Sequence, residues 1–114
     1  MWDYLRRSQL RMMRVFVIYD LPSVTKSNHQ MYTQFHGFLI KNGFYMIQES
    51  IYCCLARNQD FAQLIVAKVG KNSPKYGDIR CFMITEKQYQ NIKIFSGNKS
   101  LQEQLAIINP IVEI

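Results

Sequence analysis

The chain has 114 residues, enough for one domain with one core, and 48% of them are hydrophobic, which excludes a disordered chain. Fourteen Lys and Arg against eight Asp and Glu give a net charge of +6 and a pI near 9.4, favouring a polyanionic partner such as nucleic acid. No apolar run approaches the roughly 18 to 20 residues that a membrane span requires.

The opening "MWDYLRRSQLRM" carries Arg6, Arg7 and Arg11 and lacks the apolar centre of a signal peptide, so residues 1–12 are expected to be an extension ahead of the domain. "MRVFVIYDLPS" follows. Val15 to Tyr19 are β-branched or aromatic and read as a buried strand. Asp20 marks its C-terminal end, because Asp disfavours strand interiors and Leu21 precedes a proline. A carboxylate where a central strand leaves its sheet is a candidate functional group, with a turn-capping role as the plain alternative.

Residues 24–42 predict a helix, with Met31, Phe35, Phe38, Leu39 and Asn42 at spacings of three and four and Gly43 as its stop. Residues 44–56 predict two strands divided near Gln48 to Ser50. A second helix is expected over about 59–69, capped by Asn58, with Phe61, Leu64, Ile65 and Lys68 on one face. "DIRCFMI", 78–84, predicts another strand. Thr85 and Gln88 then have capping-box spacing for one short helical turn. Ile92 to Phe95 are expected to add a short last strand. After "GNKS", the Ile111, Val112 and Ile114 run reads as a docking element able to extend a sheet edge.

This order, β-α-β-β-α-β with a short extra C-terminal strand, is the α+β ferredoxin-like pattern, placed over residues 13–97 with a tail at 98–114. Val15, Val17 and Tyr19 alternate with Phe16 and Ile18, and Cys81 and Met83 with Phe82 and Ile84. Both sheet faces are therefore apolar. One packs on the helices, and the other predicts a homodimer.

Cys53, Cys54 and Cys81 are odd in number and without CxxC spacing, so they read as buried thiols of a reducing cytoplasm. His29 and His36 lie seven apart without a third ligand at recognisable spacing and are expected to be surface histidines. No phosphate-cradling glycine loop and no nucleophile–base pair stands out. The strand "DIRCFMI" lacks the glycines and aromatic alternation of an RNA-recognition module. Among the basic residues, Arg14, Lys26, Lys41 and Arg80 are the candidate phosphate contacts.

Taken together, the strand ending Tyr-Asp-Leu-Pro, the "QESIY" segment, and "SPKYGDIRCFMITEKQY" resemble the Cas-two family of CRISPR-associated spacer-acquisition proteins, most closely those of type II systems. The resemblance implies a ferredoxin-like homodimer between two dimers of the Cas-one integrase, holding a double-stranded DNA prespacer. It also implies metal-dependent endonuclease activity, with Asp20 as catalytic residue and ligand of Mg²⁺ or Mn²⁺. The alternative is a stand-alone metal-dependent endoribonuclease of toxin type.

Overall fold

The computed structural model describes residues 11–21 and 25–96. The expected roles of residues 1–10 and of the tail from 97 onward therefore lie outside the described residues. Strand β1 (Met13–Asp20) leads to helix α1 (Lys26–Lys41), then strands β2 (Tyr45–Gln48) and β3 (Ile51–Ala56). Helix α2 (Gln59–Asn72), strand β4 (Asp78–Thr85) and the five-residue helix α3 (Glu86–Gln90) complete the order. The sheet runs β2-β3-β1-β4 and all its pairings are antiparallel. This is the ferredoxin-like arrangement that the sequence predicts. No helix among the described residues is long and apolar enough to cross a membrane.

Local chemistry explains the boundaries. Thr25 caps α1 by accepting a hydrogen bond from the Asn28 amide at 3.0 Å, and Asn58 caps α2 by accepting from the Phe61 amide at 2.8 Å. Gly43, with φ of +90°, takes the left-handed conformation that ends α1. Helix α2 runs three residues beyond the expected stop, through Gly70, and gives way only before Pro74. The predicted capping box forms at α3: the Gln88 amide donates to Thr85 Oγ1 at 3.1 Å, and the Thr85 amide donates to Gln88 Oε1 at 2.9 Å.

Two expectations are corrected. The inward face of α2 carries Ala62, Ile65, Val66 and Val69, one residue round from the predicted Phe61, Leu64, Ile65 and Lys68. Small Ala62, fully buried, lets the helix lie close to the sheet, while Phe61 turns outward under the Arg57 guanidinium at 4.8 Å. Residues 92–95 form no strand, and Phe95 is 95% exposed. A strand needs a pairing partner, and α3 has just turned the chain away from β4; the Ile92 amide still donates to the Tyr89 carbonyl.

The main core lies between the sheet and helices α1 and α2. Val15, Val17, Tyr19, Tyr52, Cys54 and Ala56 from the strands meet Phe35, Leu39, Ala62 and Val69 from the helices. Tyr19 stacks on Tyr52 with ring centroids 5.6 Å apart and receives Phe35 edge-on at 5.2 Å. The opposite sheet face holds a smaller cluster of Phe16, Cys53 and Tyr89, the last supplied by α3.

Candidate functional site

Strand alternation assigns Asp20 to the face opposite the two long helices. Residues 14, 16, 18 and 20 share that face, and the antiparallel register sets them against Ile84, Phe82, Arg80 and Asp78. Asp20 is solvent-exposed at the strand's end, opposite Asp78. Arg80 donates from Nε and Nη2 to the two carboxylate oxygens of Asp78, each at 3.2 Å, and both side chains are exposed. That pairing raises the Arg80 pKa through the Asp78 hydrogen bonds. It also leaves Asp78 compensated by its own cation.

The backbone around Asp20 is fixed from two sides. The Tyr19 amide donates to the Ser50 carbonyl at 3.1 Å, across the tight β2–β3 turn where Ser50 has φ of 65°. The loop before β4 closes from the other side, pinned to α1 by the Tyr76 hydroxyl, which donates to the Asn28 carbonyl at 2.7 Å. Gly77, with φ of +83°, lies directly against Asp20 and Leu21.

The four candidate phosphate contacts do not form one patch. Arg80 belongs to the open face beside Asp78. Lys26 and Lys41 are exposed at the two ends of α1, about 22 Å apart by helical rise. Arg14 departs from the expectation altogether. It is 1% exposed, with Nε donating to Glu86 Oε1 at 2.5 Å, Nη2 to Glu86 Oε2 at 2.9 Å and Nη1 to the Tyr45 hydroxyl at 2.5 Å. Its guanidinium also lies 4.2 Å from the Tyr89 ring centre. Burial opposes its charge, but the Glu86 hydrogen bonds together with the charge interactions of Tyr45, Glu86 and Cys53 outweigh that and hold its pKa above the usual value. A guanidinium so enclosed secures α3 to the sheet and offers no surface to a phosphate.

The histidines are not a ligand pair. His29 is exposed, whereas His36 Nδ1 is 2.6 Å from the hydroxyl of buried Tyr52. Both belong to α1, on the far side of the sheet from Asp20. Among the described residues no three His, Cys, Asp or Glu side chains gather to hold a metal ion. Magnesium, however, keeps several waters and uses one or two carboxylates together with substrate phosphates, so exposed Asp20 fits as a one-carboxylate ligand.

Residue reasoning on the sequence missed Gly77, Asp78 and Glu86. The signal for Asp78 was present: a hydrophilic residue opening the "DIRCFMI" strand must fall opposite the residue closing an antiparallel neighbour of equal length. Glu86 was concealed because a carboxylate at the start of a helix reads as ordinary N-terminal charge complementarity.

Comparison with known proteins identifies a family. The sequence pattern of the family described as "CRISPR associated protein Cas2" matches residues 13–92, the span from the start of β1 to just past α3. A protein of Treponema denticola named "CRISPR-associated endoribonuclease Cas2" is 39% identical over 90 residues, covering 79% of this chain and 89% of its own. A protein of the same name from Acidovorax ebreus is 37% identical over 92 residues, covering 81% and 90%. One from Campylobacter jejuni is 30% identical over 95 residues, covering 83% and 66%. With the whole sheet, both long helices and the strand-end aspartate inside the matched span, this chain belongs to the CRISPR-associated Cas2 family.

Proposed function

We propose that the protein acts in CRISPR spacer acquisition as a homodimeric, nucleic-acid-binding scaffold between Cas-one integrase dimers, with Asp20 holding Mg²⁺ or Mn²⁺ at an accessory phosphodiesterase site. The observation that carries this reading is the half-bare open face. Ile18 and Phe82 are exposed there in neighbouring strands, on the same face as Asp20 and, among the described residues, with no helix over them. A second copy docked on that patch would bury it and bring the two Asp20 carboxylates to one side of the assembly. Exposed Lys26, Lys41, Arg57, Lys68, Lys71, Lys75 and Lys87 supply a positive surface for a phosphate backbone, which needs charge and reach rather than a motif.

At Asp20 a bound divalent cation would supply polarisation of a phosphoryl oxygen and activation of water. Asp20 would provide the anionic oxygen that holds such a cation. Both histidines lie behind the sheet and cannot take a proton there, so cleavage without a side-chain base is expected to be slow. The test is Asp20→Asn in a reconstituted spacer-integration reaction with the Cas-one integrase. Integration and DNA binding retained, with cleavage lost, supports the scaffold reading; integration lost from an intact dimer refutes it.

The relatives' name favours a second reading, a metal-dependent endoribonuclease in its own right. Single-stranded RNA cleaved at multiple turnovers by the purified chain in Mn²⁺, and not by Asp20→Asn, would establish it. Absence of Asp20-dependent cleavage on RNA would dismiss it.

A further inference from the structure

The loop that leads into β4 meets β1 where Asp20 leaves the sheet, and at the meeting point there is no room for a side chain. A Cβ placed on Gly77 would stand 2.4 Å from Leu21 Cδ2 and 2.9 Å from the Asp20 carbonyl oxygen, with Leu21 Cα at 3.4 Å. Neither neighbour yields easily. Leu21 is 8% exposed and belongs to the main core, and the second contact is with the backbone of Asp20 itself. The loop cannot back away freely either, because Tyr76, one residue earlier, is held to the first turn of α1 and Asp78, one residue later, is in register with Asp20. Gly77 also adopts φ of +83°, which disfavours most L residues but which Asn tolerates.

We propose that Gly77 is a positioning residue for Asp20: the missing side chain lets the β4 loop close on the Asp20 peptide and fixes where the carboxylate is presented. This rests on the reading of Asp20 as the metal-holding carboxylate. The two requirements on Gly77, its backbone angle and its close approach, are separable by substitution. Gly77→Asn keeps the angle accessible and introduces the Cβ, whereas Gly77→Ala disturbs both. Leu21→Ala removes the 2.4 Å contact and leaves the close approach to the Asp20 carbonyl, with Leu21 Cα at ordinary van der Waals distance.

The experiment titrates the full chain with Mn²⁺ alone, followed by electron paramagnetic resonance. It also records the Asp20 carbonyl resonance by NMR in the absence of metal. Gly77→Asn and Gly77→Ala should each weaken Mn²⁺ binding by about ten- to a hundredfold, the range seen when support of a metal ligand is lost. Both should shift the Asp20 carbonyl resonance while leaving that of Phe16, four residues back in β1, in place. If steric conflict prevents folding of either single variant, Gly77→Asn in the Leu21→Ala background is compared with Leu21→Ala alone, and the same loss is expected. Wild-type Mn²⁺ affinity in Gly77→Asn with a loss in Gly77→Ala would overturn the proposal, since Gly77 would then serve only the turn. An unmoved Asp20 carbonyl in folded Gly77→Asn would overturn it as well. The parent reading fails separately, if Asp20→Asn binds Mn²⁺ as the wild type does, and the carbonyl shift then still decides whether Gly77 sets the Asp20 backbone.

Discussion

The two faces of the sheet are built from alternate residues of the same strands, yet they are closed by different means. The helix side is apolar and closed within the chain by two long helices, with Tyr19, Phe35 and Tyr52 packed ring against ring. Among the described residues the open side is closed over one half, by five-residue α3, which adds a buried ion pair to the small apolar cluster of Phe16, Cys53 and Tyr89. Its other half, Ile18, Phe82, Arg80, Asp78 and Asp20, stays bare. Apolar packing on one side supplies stability without directing anything. On the other side a bidentate pair sets one orientation of α3, and so fixes where the covered half stops and the bare half begins. The face left unfinished is the one that carries the candidate carboxylate.

The sharpest way to break this contrast is Arg14→Ala. Removing the cation strands the Glu86 carboxylate, which is 4% exposed, and leaving an uncompensated buried charge costs about 3 to 5 kcal/mol. Replacing both partners, Arg14→Met with Glu86→Leu, should recover most of that loss, because well-packed apolar residues often match a buried pair. Urea unfolding of the single and double variants measures both. Equal destabilisation in the two would show that α3 is held by shape and not by the pair.

How much of this was legible in the sequence differs between the faces for the same reason. Strand periodicity, the Asn58 cap and the Thr85–Gln88 box are local, and each appears where its residues predict. The Asp20 position was legible too, since Leu21-Pro22 ends the strand. Arg14 was misread because its partner is 72 residues away, and no local pattern tells a buried guanidinium from a surface one. The α2 face was read one residue off because Phe61 and Leu64 are larger than Ala62, and size suggested burial where close helix–sheet approach required a small residue. Caps and strand ends are readable from one sequence; a buried side-chain pair between residues 72 apart is not.

The cysteines report on each face separately. Burial pushes the Cys53 thiol, beneath α3, up to about 11, and the Cys81 thiol, on the helix side, also up to about 11. Thiols raised this far leave only about one in a thousand as thiolate at pH 8, so alkylation of the native protein should be slow at both. Arg14→Ala should accelerate iodoacetamide labelling of Cys53 by about a hundredfold through opening of α3, and leave Cys81 nearly unchanged. Similar acceleration at both sites, located by mass spectrometry, would mean that the faces open together. The raised values also set an alkaline limit. The folded state retains these protons more strongly than the unfolded chain, so their contribution is complete below about pH 9 and is lost as pH rises toward 11. Thermal midpoints across that window should fall.

A smaller effect on folding, with a larger one on assembly, is expected from Phe82→Asp. Phe82 stacks on Phe16 with centroids 5.3 Å apart and an interplanar angle of 6°, yet it is 43% exposed. Losing that stack should cost about 1 kcal/mol in a single chain. A charge in the middle of the bare patch should at the same time abolish self-association through it. Light scattering over a concentration series checks the second point. A dimer undiminished by Phe82→Asp would place the subunit contact elsewhere and leave the bare half of the face without its proposed partner.

The smallest effect belongs to the outer side of α2. Leu64 is 67% exposed, points away from Ala62 and Val69, and lies on the same outward side as Phe61 with its Arg57 cover. Had α2 faced the sheet through Leu64, its replacement by Asp would strand a carboxylate in the core at a cost of several kcal/mol. In the observed orientation Leu64→Asp exchanges one solvated side chain for another and should change stability by no more than about 1 kcal/mol, part of it repulsion from Asp60 four residues earlier. Ala62→Leu is the complementary substitution. It forces a larger side chain into a fully buried position between helix and sheet and should cost about 1 to 3 kcal/mol. Denaturation midpoints that rank the two the other way would show that α2 meets the sheet through Leu64 after all, and would reverse the one-residue rotation on which the description of this face depends.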